Sequence, residues 1–109
     1  MRKTQRSSEW FFSRPILEAL LELGGGAECS TVLDLVYQKT AAYLTPEDRA
    51  HVDSSLEPRW RNTAKWERNR LVKNGFLKKS KVRGFWEISP AGIEHLEWMN
   101  EMRDQIDLI

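Results

Sequence analysis

Between Arg59 and Arg83 the sequence places Lys or Arg at positions 59, 61, 65, 68, 70, 73, 78, 79, 81 and 83 against a single acid, Glu67, for a net charge of +9. Guanidinium and ammonium groups at this density are the chemistry of polyanion recognition, arginine offering a planar bidentate fork and lysine a compact point charge. The whole chain of 109 residues carries only +1, because residues 15–58 net −6, residues 84–109 net −5 and the first fourteen residues +3. Such asymmetry makes a directional field, and the acidic remainder works against indiscriminate binding.

Other chemistries are poorly served. His51 and His95 lie far apart, and neither is joined by Cys or carboxylates at metal-ligand spacing. The run Gly24-Gly25-Gly26 is not followed by Lys-Ser or Lys-Thr, so it reads as a helix stop rather than a phosphate loop. Glu18 and Glu22 fit a solvated helix face better than an acid/base pair. No nucleophilic triad assembles. The sequence therefore predicts no catalytic residue, no metal site and no cofactor. The lone cysteine, Cys29, excludes an internal disulfide and reads as a small buried residue.

The elements that must position the cations are short and mostly helical. The length is that of one domain, and the composition, 40% hydrophobic and 30% charged, is that of an ordinary soluble protein. No apolar run approaches the roughly 20 residues that span a bilayer, and the opening "MRKTQRSSEWFFSRP" lacks a signal-peptide core, which predicts a cytoplasmic chain. "SRPILEALLELGGG" predicts a helix capped by Ser13, with apolar residues at 16, 17, 20, 21 and 23. "AEC" has room for a short strand. "STVLDLVYQKTAAYL" predicts a second helix capped by Ser30, with Val32, Leu35, Val36 and Tyr43 on one side. Thr45 caps a brief helical segment in "TPEDRAHV", and "DSSLEP" is a linker.

The basic stretch then resolves into two parts. From Pro58 to Asn74 there is no further Pro or Gly, and Gly75 sits where a helix stop would. Along that helix Trp60, Ala64, Glu67 and Leu71 fall within a narrow arc, while Arg61, Lys65, Arg68 and Asn69 gather on the flank and opposite side. "FLKK", "SKVRG" and "FWEIS" predict a β-hairpin with a basic tip, Trp86 and Ile88 facing inward and Phe85 and Glu87 outward. Trp60, Trp66 and Trp86 are all read as core aromatics. Ser89 and Pro90 start a last helix, whose stripe of Leu96, Met99, Met102, Ile106 and Ile109 either packs back on the first helix or forms a homodimer seam.

Helix, short strand, helix, basic helix and basic-tipped hairpin are the order of a winged helix-turn-helix. The fold class read here is α+β, mostly helical, with a β-hairpin wing and an extended C-terminal helix from about residue 90. Residues 1–12 form a basic and aromatic N-terminal segment, and residues 13–109 the winged-helix domain. In such domains an exposed helix enters the major groove of DNA and the wing reaches the neighbouring backbone.

The pattern Arg59, Trp60, Asn62, Trp66, Arg70-Leu71, Gly75 and "RGFWEISPAG", with "RPILEALLELGGGAECSTVLDLV" upstream, resembles the N-terminal domain of Mrr-like restriction endonucleases over roughly residues 10–97. The resemblance implies a winged helix that binds double-stranded DNA, commonly beside a nuclease domain directed at modified DNA. Nucleases of that type use a carboxylate pair and a Lys two positions after an acid, yet no Asp or Glu here has Lys two residues later. The chain is thus expected to be a target-recognition part and not an enzyme, with a nuclease as fused domain or separate partner. The residues expected on DNA are Arg59, Arg61, Asn62, Lys65, Arg68 and Asn69 on the helix, and Lys79, Lys81 and Arg83 on the wing. The competing expectation is a winged-helix protein-interaction adaptor or a transcriptional regulator.

Overall fold

The computed structural model describes residues 8–51 and 56–107, with side chains as far as Asp104. Among these, the chain runs through α1 (Ser13–Glu22), β1 (Gly26–Glu28), α2 (Cys29–Thr40), α3 (Pro46–Arg49), α4 (Arg59–Lys73), β2 (Phe85–Glu87) and α5 (Pro90–Asp107). It is an α+β fold, mostly helical, with a two-stranded antiparallel sheet. No described helix is long and apolar enough to cross a membrane.

The apolar face of α1 supplies the centre of the core. Ile16, Leu17 and Leu20 are fully buried, and they meet Val32, Leu33 and Val36 from α2 and Trp60 and Leu71 from α4. Each large side chain buried in this way contributes about 1.5–3 kcal/mol relative to exposure. Ser13 does not cap α1 as expected. A 3-10 turn over Glu9–Phe12 runs directly into the helix, so Ser13 lies inside it and is buried. Ser30 does not cap α2 either, because that helix already starts at Cys29; the Ser30 Oγ donates instead to Glu28 Oε1 at 2.8 Å.

Thr40 ends α2 by donating its hydroxyl to the Val36 carbonyl at 2.8 Å, and the chain tightens into a 3-10 turn over Ala41–Tyr43. Tyr43 therefore leaves the helical face on which the sequence placed it and is exposed. Thr45 does cap α3: its Oγ1 accepts the Asp48 N–H at 3.1 Å while Asp48 Oδ2 accepts the Thr45 N–H at 3.0 Å. Of the segment read as a linker, residues 53–55 lie outside the described residues.

The expected hairpin is a ladder only at its base. Leu77 bridges Ile88, and the Lys78 N–H donates to the Glu87 carbonyl at 2.8 Å. The strand partner of β2 is β1, in the register Gly26↔Glu87, Ala27↔Trp86 and Glu28↔Phe85. Beyond Lys78 the Ser80 Oγ accepts the Val82 N–H and donates to the Val82 carbonyl, which turns the tip on itself and out of the ladder. Trp86 and Ile88 face inward as expected.

Helix α4 ends at Gly75, whose φ of +83° lies in the left-handed region. There the Gly75 N–H donates to the Val72 carbonyl at 3.0 Å and the Phe76 N–H to the Leu71 carbonyl at 2.9 Å, so both free carbonyls are satisfied. Ser89 caps α5 by accepting the Gly92 N–H at 3.0 Å. The first part of α5 packs back on α1: Leu96 is buried, Met99 is half-buried, and Arg14 donates to the Met99 carbonyl at 3.0 Å and to the Asn100 side chain. Met102 is exposed, and the Ile106 side chain and Ile109 lie outside the described residues.

Gly92 passes so close to the turn after α4 that an added Cβ would lie 2.0 Å from the Phe76 carbonyl oxygen. Gly92→Ala is expected to destabilise the fold by about 3 kcal/mol or more, since the clash is with backbone. Thr45→Ala, which removes one cap, is expected to cost about 1 kcal/mol. Urea denaturation of the two variants checks the order; equal midpoints for Gly92→Ala and wild type would contradict it.

Candidate nucleic-acid interface

The start of α4 is fixed by the chain before it. Pro58 pairs with His51 in an antiparallel bridge, and the Arg59 N–H donates to the Ala50 carbonyl at 2.7 Å. The inner arc of α4 is the one its spacing predicts, Trp60, Ala64, Glu67 and Leu71, joined by Thr63. Trp60 stacks with Phe12 on one element and Tyr37 on another, with ring centroids 6.2 and 5.6 Å apart.

Glu67 is completely buried, and both its oxygens accept from Arg70: Oε1 from Nε at 2.7 Å and Oε2 from Nη2 at 2.6 Å. This hydrogen-bonded fork raises the Arg70 pKa above its already high ordinary value. The one acid of the basic stretch is thereby hidden from any ligand.

The Arg61 flank is also partnered. Glu57 Oε1 and Oε2 accept from Lys65 at 3.0 and 2.7 Å, and Oε1 lies 3.4 Å from Arg61 Nε. Arg61 Nη1 reaches Asp34 at 3.4 Å, and its guanidinium lies over the Trp60 ring. The Lys65 hydrogen bond, opposed by partial burial and aided by the charges of Lys65 and Arg61, holds the Glu57 carboxyl below its ordinary value. Arg68 lies over the Trp86 ring at 5.7 Å and donates to Asn69 Oδ1 at 3.1 Å, so this flank of α4 faces β2. The Nε atoms of Arg68 and Arg59 are buried without an acceptor.

The nine expected residues thus fall into three groups. Arg61, Lys65 and Arg68 are drawn into contacts with the fold, and Arg59 is half-buried at the helix start. Asn62 and Asn69 are exposed on the outward face. Lys79, Lys81 and Arg83 are exposed on the loop between Lys78 and β2, whose base is tied down by the Cys29 N–H donating to the Gly84 carbonyl at 2.7 Å.

Three exposed residues of the outward face were missed. Trp66, read as core, is 57% exposed, and Arg70 and Lys73 lie on the same side. The helical angle held the signal, since Trp66 sits roughly 240° round the helix from Trp60, but the ordinary burial of tryptophan overrode it.

A family profile described as the Mrr N-terminal domain matches residues 11–97. Comparison with curated proteins finds no match, and comparison with solved structures finds none either.

The Glu67–Arg70 pair yields a stability test. Arg70→Ala leaves a fully buried carboxylate without its fork and is expected to cost about 3 kcal/mol. Adding Glu67→Met, which removes the stranded charge and fills similar volume, should recover most of that loss. Chemical denaturation of the single and double variants decides it; a double variant no more stable than Arg70→Ala would contradict the account.

Proposed function

With residues 11–97 covered by the match, the chain belongs to the Mrr N-terminal domain family, and on that premise we propose that it is a double-stranded DNA-binding winged helix serving target recognition in an Mrr-like restriction system. In this reading α4 enters the major groove and the Lys79–Arg83 loop is the wing that meets the adjacent backbone. The carrying observation is that the outward face of α4 and the loop after it expose cations and amides, while the single acid of the stretch, Glu67, is fully buried. B-DNA carries one negative charge per ~1.7 Å of axis, so such a face gains by counterion release wherever its cations are unpaired. The proposed role is recognition, and cleavage belongs to a nuclease domain or partner.

A second reading has its own support. Trp10 and Tyr43, 71% and 72% exposed, border a concave surface of about 630 Å³ lined also by Arg14, Met99 and Arg103. That aromatic rim suits a protein partner and fits an adaptor, or the seat of the nuclease itself.

Titration of labelled duplex DNA by fluorescence anisotropy, from about 50 to 200 mM salt, tests the leading reading. Wild type is expected to bind, and Lys79→Ala and Lys81→Ala should each flatten the log–log salt dependence by about one unit, on any sequence. Glu57→Gln should tighten binding several-fold, because it releases Lys65 and Arg61. Absence of duplex binding at micromolar protein would favour the adaptor.

A further inference from the structure

Trp66 stands mid-way along α4 with more than half its surface in water. No ring or guanidinium of the described residues stacks on it. Its neighbours on the outward face are polar or cationic: Asn62 one turn before, Asn69 three residues after, Arg70 one turn after with its fork turned to Glu67, and Lys73 beyond, all exposed. An indole there adds nothing to the core, although burial is where aromatic side chains yield most of their free energy.

Resting on the DNA-binding reading, we propose that Trp66 is a specificity-determining residue that packs against the C5-methyl group of thymine in the major groove, with Asn62 and Asn69 reading adenine edges on either side. The major-groove edges of the base pairs carry one apolar group, the thymine methyl, and every other readable feature is a hydrogen-bond donor or acceptor. An asparagine amide matches adenine N6 and N7 in bidentate fashion, whereas guanine is matched by arginine or lysine.

Most of the arginines that would read guanine are engaged elsewhere: Arg61 by Glu57 and Asp34, Arg68 by the Trp86 ring and Asn69, and Arg70 by Glu67. Arg59 is half-buried at the helix start, and Lys73, a point charge at the last turn, suits a phosphate. Asn69 keeps its NH₂ group and a second lone pair on Oδ1 for a base. From Asn62 to Asn69 the helix rises about 10 Å, on the order of three base-pair steps of 3.4 Å, so the three side chains address a short run of A·T pairs. A protein partner is the weaker occupant, because the patch is ringed by Asn and Lys and the sole acid of α4 is buried beneath it.

The test starts from a site selected by the wild-type protein out of a random duplex library, prepared with thymine or with deoxyuridine in its place. Wild type is expected to bind the deoxyuridine duplex about fourfold more weakly per thymine contacted, the factor for losing one buried methyl-sized group. Trp66→Ala should bind both duplexes equally, more weakly than wild type binds the thymine duplex but still above a scrambled sequence because Asn62 and Asn69 remain, with an unaltered thermal midpoint. A selected site without A·T pairs, or equal wild-type affinity for the two duplexes, overturns the proposal, and neither result depends on the variant. A Trp66→Ala protein that keeps the thymine preference, or binds both duplexes as tightly as wild type, also overturns it and leaves the indole to a protein partner. Failure of the wild type to bind any duplex is a separate outcome, which sinks the DNA-binding reading and this inference with it.

Discussion

The contact on which the rest of the structure depends is the junction between the end of α4 and the start of α5. Ser89 Oγ donates to the Gly75 carbonyl at 2.5 Å and accepts the Gly92 N–H at 3.0 Å, while the Ser89 N–H donates to the Phe76 carbonyl at 3.0 Å. Gly92 lies against that same carbonyl with no room for a side chain. The chain thus leaves one helix and enters the next at a single point. Residues 77–88 become a closed excursion, anchored at its base by the Leu77–Ile88 bridge and by the pairing of β2 with β1. Since both ends are fixed by backbone, the only part free to project is the tip that carries Lys79, Lys81 and Arg83. Stacking of Phe76 on His95, with centroids 4.1 Å apart, carries the joint one turn further along α5.

The rotation of α4 about its axis follows from what lies beneath it. Trp60 packs with Phe12 and Tyr37, and Glu67 is matched by the fork of Arg70. An ion pair whose carboxylate is buried contributes little net stability, because desolvation of that carboxylate offsets most of the attraction. Its effect here is on alternatives. Turning the helix by one residue would carry Arg61 and Arg68 into the core with no acid to meet them, and unpaired buried charge is far more costly than the pair itself. The outward face of Asn62, Trp66, Asn69 and Lys73 is therefore set by the inner arc.

That inner arc was legible in the sequence, because helical periodicity and the Pro58 and Gly75 limits are strong local signals. So were the capping box at Thr45 and the inward alternation of Trp86 and Ile88. What the sequence did not convey depended on tertiary context. Ser13 and Ser30 have capping side chains, but the turn over Glu9–Phe12 and the earlier start of α2 removed the vacancy each would fill. The pairing of β2 with β1 joins segments nearly sixty residues apart, which no local pattern states. On the candidate site, charge density was readable but charge partnership was not. Nothing in the spacing of Glu57, Arg61 and Lys65 forces one carboxylate to hold two cations, and Asp34 reaches Arg61 only through the packing of α2 on α4.

Partnership decides where the field of this nearly neutral chain emerges. Glu57 and Asp34 offset Arg61 and Lys65 in the first half of α4, Glu67 neutralises Arg70, and Glu87 lies 3.0 Å from Lys78. Among the described residues no acid pairs with Lys73, Lys79, Lys81 or Arg83. Arg59 and Arg68 also lack an acid but are half-buried, whereas these four are exposed and cluster at the last turn of α4 and the loop that follows it. There the helix macrodipole also presents its negative end, which favours cations in place. Long-range attraction thus comes from the loop end of the molecule, and the first half of α4 adds little to it. In the proposed DNA-binding reading a polyanion would be drawn in by the loop and laid along the helix afterwards, so the unpaired cations would set orientation while the amides and the indole would act only at contact distance.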